Sequence, residues 1–337
     1  MKQKVAEYIA DFLVSHNMND CFVITGGGAM HLNDALGHHE GINCIFNHHE
    51  QASAMAAEGY ARITERMAPI CVTSGPGGTN ALTGVMGAWV DSIPMFVISG
   101  QVKREATVYS QPKLNLRQLG DQEFDIVKAA ETMCKYAAFV DKEEDIAYHL
   151  EKAYYLALDG RMGPVWLDVP LDVQGAIIET EKLRHFKPEA EIASKNSEIC
   201  HDPVDAGVHI TEKIRKAKSP IFLAGSGIRF SQSQDLLLKV LEKFQIPVLT
   251  AWNSGDLVAY DNPYFAGMPG TVGTRAGNFA LQNADLVISL GCRMNIRMIG
   301  YTHFDFGKNA ELIAIDIDEG VLQVHKLTFF FAEGFTK

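Results

Sequence analysis

The stretch FNHHEQASAMAAEGYAR at residues 46–62 decides how this sequence is read, together with SGPGGTN at residues 74–80 close behind it. A short β-branched and aromatic run at 42–46 gives way, after His48 and His49, to an alanine-rich segment of high helix propensity. Glu50 therefore falls at a strand-to-helix junction. In an open α/β sheet the ends of such strands form the crevice where ligands bind, so a carboxylate there can face a ligand instead of solvent. Ala52, Ala54, Ala56, Ala57 and Gly59 keep the helix slim enough for close packing, which allows its first turn to be buried. A buried carboxylate favours its protonated form, as a general acid or hydrogen-bond donor near neutral pH requires. Taken alone, a Glu at a helix start is also simply a favourable charge on the helix dipole.

Composition narrows the classes before any motif does. A chain of 337 residues holds about two domains of ordinary size. With 47% hydrophobic and 21% charged residues it reads as a soluble globular protein. A net charge of -11 disfavours a nucleic-acid partner, which calls for a basic face. The six cysteines (Cys21, Cys44, Cys71, Cys134, Cys200, Cys292) form no CxxC pair, and several lie in apolar runs, which points to free thiols in a reducing, cytoplasmic setting. At the start of the chain, Val5, Tyr8, Ile9, Phe12 and Leu13 share one helical stripe interrupted by charges, an amphipathic helix and not a signal peptide. No run approaches the roughly 20 apolar residues of a membrane span.

Along the first half, the strand CFVIT at 21–25 ends in Gly26, Gly27 and Gly28. Two readings stand for these glycines: a tight strand-to-helix turn, or an opening for a phosphate at the next helix. The dinucleotide fingerprint is not completed, because position 31 is His. His49 either belongs to a proton relay with Glu50 or holds the turn through a hydrogen bond. Strand 69–74 runs into GPGGTN, where Gly75, Gly77 and Gly78 let main-chain atoms touch a flat ring. Asn80 is read either as a helix N-cap or as part of the site. Residues 102–124 form a long loop, uncommon inside a domain unless it serves a site. Asp168 and Asp172 lack a histidine or third ligand and read as structural; no metal ligand set is assigned.

The blocks HEQASAMAAEGYAR, VTSGPGGTNALTG and DSIPMFVISGQV, in this order and with these separations, closely resemble the pyrimidine-binding domain of thiamine diphosphate enzymes of the acetolactate synthase type. The resemblance covers residues 1–175 and continues, more weakly, to about residue 325. It implies that Glu50 exchanges a proton with N1′ of the cofactor's aminopyrimidine, making Glu50 the catalytic residue. Gly26, Gly27, Gly28, His49, Gly75, Pro76, Gly77 and Asn80 are then assigned to the cofactor site. In relatives a Gln-Glu pair lies near the substrate pocket; Gln122-Glu123 is the nearest match, with Gln118 as the alternative. The implied reaction is decarboxylation and carboligation of a 2-oxo acid such as pyruvate, in a homo-oligomer, a dimer or tetramer.

The charged stretch at 176–205 reads as an interdomain linker, and alternating strands, glycine turns and helices at 206–325 read as a second α/β unit. The expected fold is therefore α/β, with two doubly wound parallel-sheet domains: a pyrimidine-binding domain and a central Rossmann-like domain. In acetolactate synthases the central domain carries FAD, and Gly225, Gly227, Gly267, Met268, Pro269, Gly270, Arg293 and Asp316 match that pattern. The departure is at Asn295 and Ile296, where flavin-binding relatives usually have an aspartate pair; central domains without a nucleotide also occur in the wider family. The GDG motif of a diphosphate-binding domain, which would supply the Mg²⁺ ligands, is absent from the sequence, and FFFAEGFTK fits neither the central domain nor a linker. The expectation is a truncated or frame-shifted chain with an aberrant tail at 326–337, active only when a diphosphate-binding domain completes it. The contrasting expectations are a non-catalytic remnant or dimerising module and, less strongly, a nucleotide-binding module built on the second sheet.

Overall fold

The computed structural model describes residues 1–192, 202–301, 306–324 and 328–331. The chain divides into two compact units, Met1–Ser194 and Lys195–Lys337.

The first unit opens with β1 (Lys2–Lys4) and α1 (Val5–Ser15). Val5, Ile9, Phe12 and Leu13 recur at helical spacing and are buried, with Tyr8 packed at their margin. The Glu7 carboxylate accepts the Lys4 N–H and closes the helix start. The strands β2 (Asp20–Val23), β3 (Asn43–Phe46), β4 (Ala68–Val72), β5 (Met95–Gln101), β6 (Tyr136–Phe139) and β7 (Pro164–Pro170) form one sheet in the order β3-β2-β4-β5-β7-β6, parallel throughout. Between and after them run α2 (Met30–His38), α3 (Glu50–Thr64), α4 (Pro76–Asp91), α5 (Ile126–Ala130), α6 (Ile146–Leu158) and α7 (Leu171–Gly175). Every residue of β5 and β7 is buried, as expected for central parallel strands covered on both faces. The strand order reverses between β2 and β4, so the loops that follow these two strands flank the topological switch point.

The first unit reaches beyond residue 175. β8 (Ile177–Glu179) pairs antiparallel with β1. Ile178, Leu183 and Phe186 are buried, the Arg184 guanidinium stacks 3.7 Å over the Tyr148 ring, and the Tyr148 hydroxyl donates to Glu191 in α8 (Pro188–Glu191). Composition reads this stretch as linker because its apolar residues are isolated among charges, and their burial depends on partners far away in sequence. Residues 193–201, with Cys200, lie outside the described residues.

In the second unit, α9 (Pro203–Lys216) starts at Asp202, whose carboxylate accepts the Val204 and Asp205 N–H groups. The strands β9 (Pro220–Ala224), β10 (Val248–Thr250), β11 (Phe265–Gly267), β12 (Leu286–Leu290), β13 (Glu311–Asp316) and β14 (Thr328–Phe331) pair in the order β11-β10-β9-β12-β13-β14, again all parallel. One apolar cluster around Phe222, Leu237, Leu241 and Ile288 and another around Leu223, Leu249, Leu281 and Val287 pack against the sheet. Both units are α/β with doubly wound parallel sheets. The first residues of FFFAEGFTK extend the second sheet through β14, and residues 332–337 lie outside the described residues. Among the described residues no helix is long and apolar enough to cross a membrane. Cys21, Cys44, Cys71, Cys134 and Cys292 are free thiols, and burial pushes those of Cys71, Cys134 and Cys292 up to about 12.

Candidate active site

After β3 the chain bends at His48 and His49, and His49 itself is extended, with its Nδ1 accepting the Gln51 N–H at 3.1 Å. His49 is thus the N-cap of α3, and its ring is held by that bond on the exposed side of the turn. Glu50, the next residue, is only 9% exposed. Its Oε2 accepts a hydrogen bond from Asn80 Nδ2 at 2.9 Å. The cap reading of Asn80 gives way here: α4 begins at Pro76, capped by Gly75, so Asn80 lies in the second turn with its amide directed at α3. The two helices meet closely. A Cβ on Gly84 would fall 2.5 Å from the Ala54 Cβ, so the missing side chain is what brings Asn80 within reach of Glu50.

Gly75 has φ +57°, and a Cβ there would lie 2.1 Å from the Gln122 carbonyl oxygen, so no other residue fits without moving the loop. A Cβ on Gly77 would sit 2.8 Å from Thr73 Cγ2 and 3.5 Å from Glu50 Oε1. The bare Cα of Gly77 therefore faces the carboxylate oxygen that Asn80 does not hold. Across the switch point, the Gly28 N–H donates to Thr73 Oγ1 at 3.1 Å. Gly26 and Gly28 are pressed against Thr73 and Ser74, which explains their size by packing alone, whereas Gly27 faces open space. The fold thus gathers Gly26–Gly28, Glu50, Gly75–Gly77 and Asn80 at one crevice.

Gln122 reaches this crevice through its backbone. It adopts φ 55°, its side chain is exposed, and its carbonyl seats on Gly75. The sequence reading missed Glu123 as the organiser of the loop. Its carboxylate accepts the N–H groups of Val108 at 2.5 Å, Leu119 at 2.7 Å and Gly120 at 3.0 Å, and Gln118 donates to the Gly120 carbonyl. An acidic residue three positions after a glycine in a long polar loop, where its carboxylate can reach back to main-chain N–H groups, is the signal that could have found it. Asp172 is tied to Arg104: partial burial would raise its carboxyl, but the hydrogen bonds and charge of Arg104 outweigh burial and hold it below its ordinary range. Asp168 is buried in β7. Among the described residues no group of three or more His, Cys, Asp or Glu side chains is placed to hold a metal ion.

The thiamine pyrophosphate enzyme N-terminal TPP binding domain matches residues 3–129, and the central domain of the same enzymes matches residues 208–328. The chain belongs to the thiamine pyrophosphate enzyme family. It is 34% identical over 318 residues to a probable acetolactate synthase large subunit of Methanococcus aeolicus, an alignment covering 93% of this chain and 50% of that protein. It is 33% identical over 301 residues to the acetolactate synthase large subunit of Lactococcus lactis, covering 89% and 50%, and 32% identical over 313 residues to acetolactate synthase isozyme 2 large subunit of Escherichia coli, covering 93% and 54%. The chain spans about half the length of the curated relatives it matches. In this thiamine pyrophosphate enzyme chain the TPP binding domain contains the whole Glu50 crevice.

In the central domain of this family member, several main-chain donors of the residues matching a flavin pattern are bonded to other parts of the chain. The Gly225 and Gly227 N–H groups donate to the Leu290 and Gly291 carbonyls at 2.9 and 3.0 Å, and Arg229 is paired with Asp256. The Gly270 N–H donates to Asn278 Oδ1 at 2.8 Å. Asn295 accepts the Arg297 N–H at 3.0 Å and caps the short turn Ile296–Ile299, a use that does not require an aspartate. Arg293 is exposed.

Proposed function

We propose that this chain supplies the pyrimidine-binding half of an acetolactate-synthase-like active site, acting on a 2-oxo acid such as pyruvate, and that a diphosphate-binding domain completes it. The observation that carries this reading is the Glu50 carboxylate, buried at the first turn of α3, with Oε2 held by Asn80 and Oε1 turned toward the bare Cα of Gly77. This donor set fits the aminopyrimidine end of thiamine diphosphate. When bound, the cofactor supplies the carbon nucleophile and the electron sink for decarboxylation.

The residues of the chain have separate tasks. Glu50 passes a proton at Oε1, while the Asn80 bond prevents the carboxylate from rotating. Gly75 and Gly77 present main chain in place of side chains on either side of Pro76, which starts α4, so a flat ring can lie close to the acid. Gly27 leaves the other side of the crevice open. His49 has its Nδ1 committed to the helix cap, so its part is to fix where Glu50 begins. Gln122, seated on Gly75, closes the crevice beside the long loop and helps to exclude water.

In this reading Mg²⁺ is held by the completing domain, the assembly is a homo-oligomer, and the setting is cytoplasmic. FAD takes no part in this reading, because the Gly225 and Gly227 N–H groups of the glycine turn are already bonded within the chain. The test is calorimetric titration with thiamine diphosphate and Mg²⁺, on the chain alone and with an added diphosphate-binding domain. Heat that appears with the added domain and is lost in Glu50→Gln supports the proposal. No heat in either case favours a non-catalytic dimerising module.

A further inference from the structure

Asp168 takes no part in the chemistry proposed above, yet it is a carboxyl buried in the core of the first unit. It is 2% exposed, and its side-chain partners are neutral: Ser99 Oγ donates to Oδ1 at 2.5 Å and Gln101 Nε2 donates to Oδ2 at 3.1 Å. Ser99 Oγ also accepts the Trp166 Nε1–H at 2.8 Å, which fixes its position and leaves its hydroxyl able to donate to an ionised Asp168 or accept from a protonated one. No cation is paired with the carboxylate among the described residues. The charged and titratable groups that face it come from the 102–125 loop and its junction with α5. Asp125 raises the Asp168 carboxyl by repulsion, and Tyr109, bonded to Asp125, senses the charges of Asp125, Asp168 and Glu123.

The same residues fasten the loop. Gln101 Nε2 also donates to the Phe124 carbonyl at 3.1 Å, so one amide bridges the buried acid and the loop. Two residues earlier, the Gln122 carbonyl seats on Gly75 at the candidate site.

We propose that Asp168 is a buried, proton-holding latch: with its carboxyl protonated the 102–125 loop lies closed over the ends of β5 and β7, and loss of the proton favours conformers in which the loop lifts and water reaches the carboxylate. The physical reason is that an ionised carboxylate without a cation gains more from water than from two neutral donors, and it repels the acids on the loop. Burial pushes Asp168 up to about 7 in the closed form, against the Ser99 and Gln101 hydrogen bonds, whereas a hydrated Asp titrates near ~4. The closed loop therefore binds the proton more tightly than the open one. The open population rises by up to about tenfold per pH unit between ~4 and ~7 and levels off above.

The test is amide hydrogen exchange of the full chain as a function of pH, expressed as protection factors corrected for intrinsic rates. For the Val108, Leu119 and Gly120 amides, whose partner Glu123 lies on the loop, protection should fall from pH 5 to 7 and then flatten. In Asp168→Asn it should be independent of pH. Should that variant not fold, Asp125→Asn serves instead, since removing the neighbouring charge moves the fall to lower pH. Flat protection in the wild-type chain, an unchanged slope in Asp168→Asn, or no displacement in Asp125→Asn overturns the latch.

Discussion

Asn80 and Glu50 stand thirty residues apart in the chain, and Nδ2 of the first lies 2.9 Å from Oε2 of the second. That bond ties the second turn of α4 to the first turn of α3, and it depends on the close contact of Gly84 with Ala54. It also makes the two carboxylate oxygens inequivalent: one is held, and the other faces Gly77.

Replacing Glu50 by Gln keeps the shape and the Asn80 bond but removes the transferable proton. In the completed enzyme kcat should fall on the order of 10²- to 10⁴-fold, with an unchanged thermal unfolding profile. Steady-state turnover within a few-fold of wild type would remove Glu50 from the mechanism.

Gly75→Ala places a methyl group 2.1 Å from the Gln122 carbonyl at a φ of +57°. Strain and displacement of the loop together should cost about 1–3 kcal/mol in urea unfolding, with weaker cofactor binding. Equal stability of the two proteins would show that the loop is not seated on this glycine.

His149 provides a pH dependence of opposite sign to that of the Asp168 latch. Burial lowers its pKa below the ordinary value, with Arg184 and Lys152 adding to the effect against Asp145, and its Nδ1 pairs with the Tyr136 hydroxyl at 2.7 Å. The unfolded chain therefore takes up the proton first. The His149 contribution is intact above the ordinary histidine range near ~6.5 and is lost as pH falls through the lowered value. On going from pH 7 to pH 5 the urea midpoint of His149→Gln should shift upward relative to that of wild type, because the variant lacks the loss that protonation of His149 imposes; identical shifts in the two proteins would contradict this account.

The protein purified from its expression host should show no flavin absorption band in the visible, and titrated FAD should keep its free fluorescence. Stoichiometric quenching would mean that the Gly225–Gly227 turn exchanges its internal bonds for a diphosphate.

Much of the fold is written locally. Apolar stripes such as Val5, Ile9 and Leu13, the strand runs at 95–101 and 164–170, and the glycine turns after strands specify two α/β units from near-neighbour preferences alone. The motif blocks likewise place Glu50 at a strand-to-helix junction, because a capping His and an alanine-rich helix are adjacent in sequence. Only the tertiary structure decides what Glu50 touches, since the Asn80 bond depends on how two helices pack and not on either helix. The same holds for Asp168, whose burial comes from β5 and the 102–125 loop, and for Ile177–Glu179, which becomes a strand only by meeting Lys2–Lys4. A charged stretch of sequence looks solvated until distant partners remove it from water, and those partners are set by the closing of the sheet.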